Sequence, residues 1–178
     1  MKKNKDFNFR FVTQWSGVSG LVGDVLSLSE SDWDYFTFRQ KTIVGHRYTK
    51  TIPLIFDSRR LKNERVTHKH FAKFEHHLSA LSSELKVLGE DHQILRANLV
   101  LLQATKSIDS HIDKGDFLLG TRRLHIPITT NSECFFIVSE ERQKMCVGEI
   151  WEINNTGKIH SVHNAGSTDR THLIIDVK

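Results

Sequence analysis

The chain has 178 residues, 38% hydrophobic and 26% charged, with 25 Lys+Arg against 21 Asp+Glu for a formal net charge of +4. That balance excludes intrinsic disorder, which goes with fewer apolar groups and a larger net charge. The length suits a single domain, 1–178, that buries about 70% of its unfolded surface without metals or disulfides to hold it. A pI near 9.1 comes with no basic cluster longer than the terminal KKNK, so solvated charge is expected rather than a nucleic-acid footprint.

From the N-terminus, Asn8, Arg10, Thr13 and Gln14 interrupt the apolar block a signal peptide would place there, which predicts a cytoplasmic protein. The longest aliphatic run, Leu99-Val100-Leu101-Leu102, falls far short of the ~18 residues of a membrane span. Ser29 as N-cap and Asp32 in the first turn predict a helix over Glu30–Phe38, with Trp33 and Phe36 facing inward. Two strands are expected next, Ile43–Tyr48 and Thr51–Phe56. Phe71, Phe74, Leu78, Leu81 and Leu85, spaced 3, 4, 3, 4, then form one apolar stripe on a helix from about Thr67 to Leu88. Gly89 should end it in the left-handed conformation. His76 and His77 fall outside the stripe and read as a solvated face.

From Ile94 the period changes to that of strands: Ile94–Leu102, Arg122–Ile128, Cys134–Val138, Ile150–Ile153, Ile159–Val162 and Thr171–Val177, separated by Asn-, Gly-, Ser- and Thr-rich turns. About eight short strands predict a mainly β fold, a barrel or jelly roll with supporting α-helices. The helix-containing part spans about 1–93 and the β core about 94–178. Cys134 and Cys146 lack metal spacing and read as two thiols.

His111 and Asp113 stand at i and i+2, so on an extended segment imidazole and carboxylate share a face. His160 lies on a later strand. Two imidazoles and one carboxylate leave three coordination positions open, the donor set of non-haem Fe(II) oxygenases. Arg170, ten residues beyond His160, should lie on a strand returning beside it, where a guanidinium can grip a carboxylate by two parallel bonds. Arg123 and His125 share one face of a strand whose other face carries Leu124, Ile126 and Ile128, and such inward polar groups need a partner that a bound anion would supply. His163 should face away from His160, and His172 shares the face of Arg170. The Asn154-Asn155 pair reads as turn chemistry.

The segments HIDKG, RRLHIPITTN, GEIWEINNTGKIHSVHN and DRTHLIID, from about Arg96 to Val177, resemble the aspartyl/asparaginyl β-hydroxylase family of Fe(II)/2-oxoglutarate oxygenases, and especially its bacterial members acting on free amino acids such as proline. The resemblance implies a double-stranded β-helix, with His111, Asp113 and His160 as iron ligands. It makes Arg170 the residue that holds the distal carboxylate of 2-oxoglutarate, with Arg123 and His125 lining the cosubstrate site. It also implies consumption of O2 and hydroxylation of a C–H bond with release of succinate and CO2.

Arg47 and Arg96, on predicted strands, and Thr49, between two of them, are the candidates for gripping a substrate carboxylate. The substrate expected is a free amino acid or a peptidyl Asp/Asn side chain, the protein a monomer or homodimer, with neither nucleic acid nor membrane as partner. The rival reading is a cupin-type protein that binds a metal or small ligand without turnover. Its common form carries HxH where this chain has His111 and Asp113, which favours the oxygenase.

Overall fold

Alternation of apolar and polar residues along the β-rich half builds two antiparallel sheets. The computed structural model describes residues 6–57, 65–89 and 92–178. One sheet has six strands: β1 (Phe9–Gln14), β2 (Thr49–Ile55), β3 (Ile94–Leu102), β5 (Arg122–Thr129), β8 (Glu149–Ile153) and β10 (Arg170–Val177), in the order β1-β8-β5-β10-β3-β2. The other comprises β4 (Ser107–His111), β6 (Cys134–Val138), β7 (Glu141–Gln143) and β9 (His160–Asn164), in the order β4-β9-β6-β7. The mainly β architecture expected from the turn spacing is the one observed.

Each strand of the larger sheet sorts its residues by period two. Leu99 of β3, Leu124, Ile126 and Ile128 of β5, and Leu173, Ile175 and Val177 of β10 join one apolar cluster with Leu21 and Val25 of α1 (Val18–Leu26) and Phe74, Leu78 and Leu81 of α4 (Phe71–Glu84). Phe74 and Leu81 are fully buried, and each contributes about 1.5–3 kcal/mol by leaving water. The alternate residues, among them Arg96, Arg123, His125, Arg170, His172 and Asp176, turn to the opposite face. There a smaller cluster, including Leu102, Phe136, Val138 and Val162, joins the two sheets. Helices thus seal one face of the large sheet and leave the other for polar groups.

Several local expectations need correction. The stripe helix begins at Phe71, because Val66 and His68 form backbone bonds with Phe56 and Leu54 that extend the end of β2, and its last turn, Leu85–Leu88, is 3-10. Gly89 has φ 129° and ψ 149°, a positive-φ conformation that favours glycine but is not the left-handed helical one. Ser29 does cap a helix by a reciprocal capping box with Asp32, but that helix, α2 (Glu30–Trp33), stops short. Asp34, Tyr35, Phe36 and Thr37 all have weak helix propensity, and a separate short helix, α3 (Phe38–Thr42), follows.

No strand forms over Ile43–Tyr48. Val44–His46 is a 3-10 turn. His77, expected on a solvated face, is buried against α1, where Gly20 leaves room for its ring and its Nε2 lies 2.7 Å from Asp24 Oδ2. His76 is exposed as expected. Both cysteines are free thiols, Cys134 buried and Cys146 exposed. Among the described residues no helix is long and apolar enough to cross a membrane.

Candidate active site

The metal-binding trio follows from strand register. β4 pairs with β9 so that His111 stands directly opposite His160, and their rings lie 4.2 Å apart between centroids. Asp113 follows two residues after His111. Its Oδ1 is 3.6 Å from His111 Nε2 and its Oδ2 4.0 Å from His160 Nε2, and one ligand atom from each of the three lies within 4.8 Å of the others. Both imidazoles are oriented alike: Nδ1 of His111 sits 2.7 Å from the Asp109 carbonyl and Nδ1 of His160 3.4 Å from that of Lys158. A proton on each Nδ1 satisfies those carbonyls and frees both Nε2 lone pairs for a cation. Burial, against the opposing pull of Asp113, pushes His160 down to about 4, so the ring is neutral and able to ligate.

Asp113 is held by its surroundings rather than by its own loop. Its backbone N–H donates to the Asn155 carbonyl, and the Asn155 side-chain amide and Arg123 Nη1 donate to its Oδ2 at 2.9 and 2.5 Å. Burial would raise the carboxyl, but the Arg123 charge, the Asn155 hydrogen bond and the two imidazoles outweigh it and hold the group well below the usual carboxylate range. The donor set, two imidazoles and one carboxylate, suits a divalent first-row ion with open positions.

Arg123 is less available than its sequence position suggests. Its Nε and Nη2 donate to the two oxygens of Asp176, directly opposite it on β10, while Nη1 takes Asp113. The partner that an inward guanidinium requires is therefore supplied by two carboxylates of this chain, and Arg123 acts first as the strut that orients Asp113.

Arg170 and His125 stand otherwise. Arg170 does not return beside His160, since the turn after β9 carries the chain across to the large sheet, where β10 pairs with β3 and β5. It reaches the interior from the opposite sheet and is 2% exposed. Its Nη2 donates to His172 Nδ1 at 2.7 Å, its Nε has no partner, and no carboxylate pairs with it among the described residues. Burial pushes it down to about 10, still cationic. His125 is buried with both ring nitrogens unsatisfied, edge-on to Phe136 and His172. A buried cation without a counter-ion and an imidazole without partners form an anion site that lacks only its anion, which fits one end of a dicarboxylate cosubstrate. The cavity beside Arg170 and Phe136 is about 10 Å³, so side chains there must move aside for a ligand larger than water.

Arg47 is not part of the cavity lining: it is exposed, stacks over Tyr48 and pairs with Asp109 at 3.3 Å. Thr49 is buried and donates to the His46 carbonyl. Arg96 lines a large cavity beside His111 and Asp113 and lies 3.7 Å over the Phe117 ring. His172 meets Arg170 as expected, and His163 points outward to Ser107. Sequence reasoning missed Asp176, Phe136, Arg39 and His46, and read Asn155 as turn chemistry. Asp176 was legible, since Arg170, His172 and Asp176 alternate on one strand face.

The buried histidines make a prediction. Burial, aided by Arg170, holds His125 and His172 well below their ordinary 6.5, so the folded chain keeps both neutral while the unfolded chain takes up a proton at each once the pH falls below that value. The unfolded state then binds more protons, and stability is lost as pH drops through 6.5, by about 1.4 kcal/mol per pH unit for each histidine. Thermal melts of the metal-free protein should show a clear fall from about pH 7.5 to about pH 5.5, shallower in His125→Phe; a flat profile would contradict the buried neutral rings.

The family described as Aspartyl/Asparaginyl beta-hydroxylase matches residues 21–178, which include every candidate site residue. Among solved structures, an oxidoreductase of the 2OG-Fe(II) oxygenase family from Burkholderia pseudomallei is 14% identical over 73% of this chain, with a TM-score of 0.56. The chain spans 66% of that relative's length, just under two thirds. The non-haem monooxygenase ThoJ, in its nickel complex, is 14% identical over 96% of this chain and 73% of its own, TM-score 0.57. The viral collagen prolyl hydroxylase vCPH from Paramecium Bursaria Chlorella virus-1, in its 2OG complex, is 9% identical over 97% of this chain and 96% of its own, TM-score 0.54. At such identities the likeness is one of fold. No curated protein matches the chain.

Proposed function

We propose, because the chain belongs to the aspartyl/asparaginyl β-hydroxylase family of Fe(II)/2-oxoglutarate oxygenases, that it hydroxylates an unactivated C–H bond of a small-molecule or peptide substrate. The reaction balances as substrate plus O2 plus 2-oxoglutarate giving hydroxylated substrate, succinate and CO2. The observation that carries this reading is the convergence of His111, Asp113 and His160, with both Nε2 atoms freed toward one point.

Fe(II) bound there would supply the redox chemistry that splits O2 against the cosubstrate. The rest is the work of this chain. His111, Asp113 and His160 would hold the ion, with Asp113 kept anionic by Arg123 and Asn155. Arg170 and His125 would take the carboxylate of 2-oxoglutarate and so fix its orientation before the substrate arrives. Apolar neighbours such as Phe136, stacked 6.0 Å from the His160 ring, limit water near the ligands.

The test is succinate. Purified protein with Fe(II), ascorbate, O2 and 2-oxoglutarate should release it slowly without any substrate. A mass-spectrometric screen of free amino acids, Asp- or Asn-containing peptides and bulkier apolar carboxylic acids should then find one class that gains an oxygen atom and accelerates that release. Absence of succinate under all these conditions would favour the binding protein without turnover.

A further inference from the structure

The cavity beside the metal trio measures about 1040 Å³ and is lined in part by residues of α3, the 3-10 turn and α5 (Asp116–Leu119). Volumes of about 300–1,000 Å³ hold ligands of drug size, so the space takes a body larger than a free amino acid such as proline even beside a metal ion and its cosubstrate. The walls are mixed. Phe38, Ile43, Phe56, Leu95, Phe117 and Leu118 supply apolar surface, three guanidinium groups, of Arg39, Arg96 and Arg123, supply rigid positive charge, and Lys114 and Lys178 add two flexible ammonium groups that cannot make two parallel bonds to one carboxylate.

The three arginines differ in what already holds them. Arg123 is taken by Asp113 and Asp176. Arg96 is laid flat on Phe117 and has further interactions besides. Arg39 has no carboxylate partner among the described residues: its Nη2 meets only His46 Nε2, at 3.1 Å. His46 accepts that bond, so it is neutral. It is buried, fixed in place by Thr49, whose hydroxyl donates to its carbonyl, and its ring stands edge-on to His111 at 5.8 Å. Arg39 is thereby aimed into the cavity one imidazole away from the metal ligands. The acids that also line the space are mostly committed: Asp109 faces Arg47, Asp113 faces Arg123, and Asp57 has a partner of its own.

We infer that the primary substrate is a carboxylic acid with an apolar body bulkier than a free amino acid, anchored by a salt bridge from its carboxylate to Arg39 and packed along the Phe38, Phe56 and Phe117 wall. This rests on the hydroxylase reading above and narrows it. Arg39 is then a substrate-binding residue distinct from Arg170, which does not line this cavity but borders the small one beside Phe136. The Arg39–His46 pair sets the distance between the acid group and the C–H bond presented to the metal.

Calorimetric titration of the Zn(II)-loaded wild-type protein with N-acetylphenylalanine, its carboxamide and free proline tests this without any turnover. The acid should bind at least about tenfold more tightly than the amide, as a charge-assisted pair lost from a partly desolvated site requires, and proline more weakly than the acid. Arg39→Gln should bring acid and amide to the same affinity, and Arg39→Lys should keep part of the preference. Equal binding of acid and amide by wild type, no binding of either, tighter binding of proline, or an intact preference in Arg39→Gln would each overturn the assignment. The wild-type comparison stands even if a variant fails to fold. Succinate release is read separately: acid-selective binding through Arg39 without succinate would sink the oxygenase reading alone, and succinate with no acid preference would sink this one alone.

Discussion

His160→Ala should lower Fe(II) affinity by more than about 100-fold and bring succinate release to background, since even residues that only orient metal ligands cost ~10–100-fold when lost. The expected size follows from where His160 sits. It is the most buried of the three candidate ligands, opposite His111 in the β4–β9 ladder, and its side chain is 5% exposed against 30% for His111 and 17% for Asp113. Without it, the remaining pair lies at the open edge of the site, where water competes for the ion. Removing a buried imidazole that packs against Phe136 and His111 also leaves a cavity, so the apoprotein should melt somewhat below the wild-type temperature, and the metal titration is read on the folded variant. Asn155→Ala should land between the two extremes, with affinity down by about 10–100-fold, because it loosens Asp113 without deleting a ligand. Calorimetric metal titration paired with thermal melts checks all three statements. Wild-type affinity in His160→Ala would rule out the trio as the metal site.

How much of this was legible in the sequence differs by element. β3 and β6 have the predicted limits, and β5, β8, β9 and β10 differ by one or two residues, because their apolar and polar residues alternate against a helix-covered core and period two is the strongest mark a strand can leave. β1, β4 and β7 left no such mark. β1 is nowhere buried along FRFVTQ, and β7, ERQ, is a charged edge whose existence depends on pairing with β6 rather than on its own residues. β4 was seen only through its last residue, in the His111–Asp113 spacing.

The site divides in the same way. His111, Asp113, His160 and Arg170 are carried by short-range patterns and by the family resemblance. What a one-dimensional reading could not supply was partnership across sheets. That Arg123 is held by Asp176, that Asn155 from the β8–β9 turn holds Asp113, and that Arg39 from the short helix α3 ends up in the cavity are all consequences of register and crossover. Arg47 shows the reverse error, a basic residue expected on an inward strand that instead follows a 3-10 turn and lies exposed.

Arg170→Met should separate stability from cosubstrate binding. A buried guanidinium with no carboxylate partner among the described residues is a liability to the empty protein, because among them desolvation of its charge is offset by a hydrogen bond to His172 Nδ1 alone. Replacing it with an apolar side chain of similar length removes that cost and leaves one imidazole nitrogen short of a donor, so the apoprotein should be as stable as wild type or more so. Binding of 2-oxoglutarate should move the other way. Losing one partner of a buried charge pair costs about 2–5 kcal/mol, which at 1.4 kcal/mol per decade is roughly 30- to several-thousand-fold in affinity. Arg170→Lys should recover little of it, since an ammonium cannot make two parallel bonds to one carboxylate. The measurements are thermal melts of the metal-free variants and the KM for 2-oxoglutarate from substrate-free succinate release. A variant that melts many degrees lower while keeping its KM within threefold would make Arg170 a structural residue and leave the anion site empty of purpose; a raised or unchanged melting temperature with a lost cosubstrate response is the signature of a charge kept buried for its ligand.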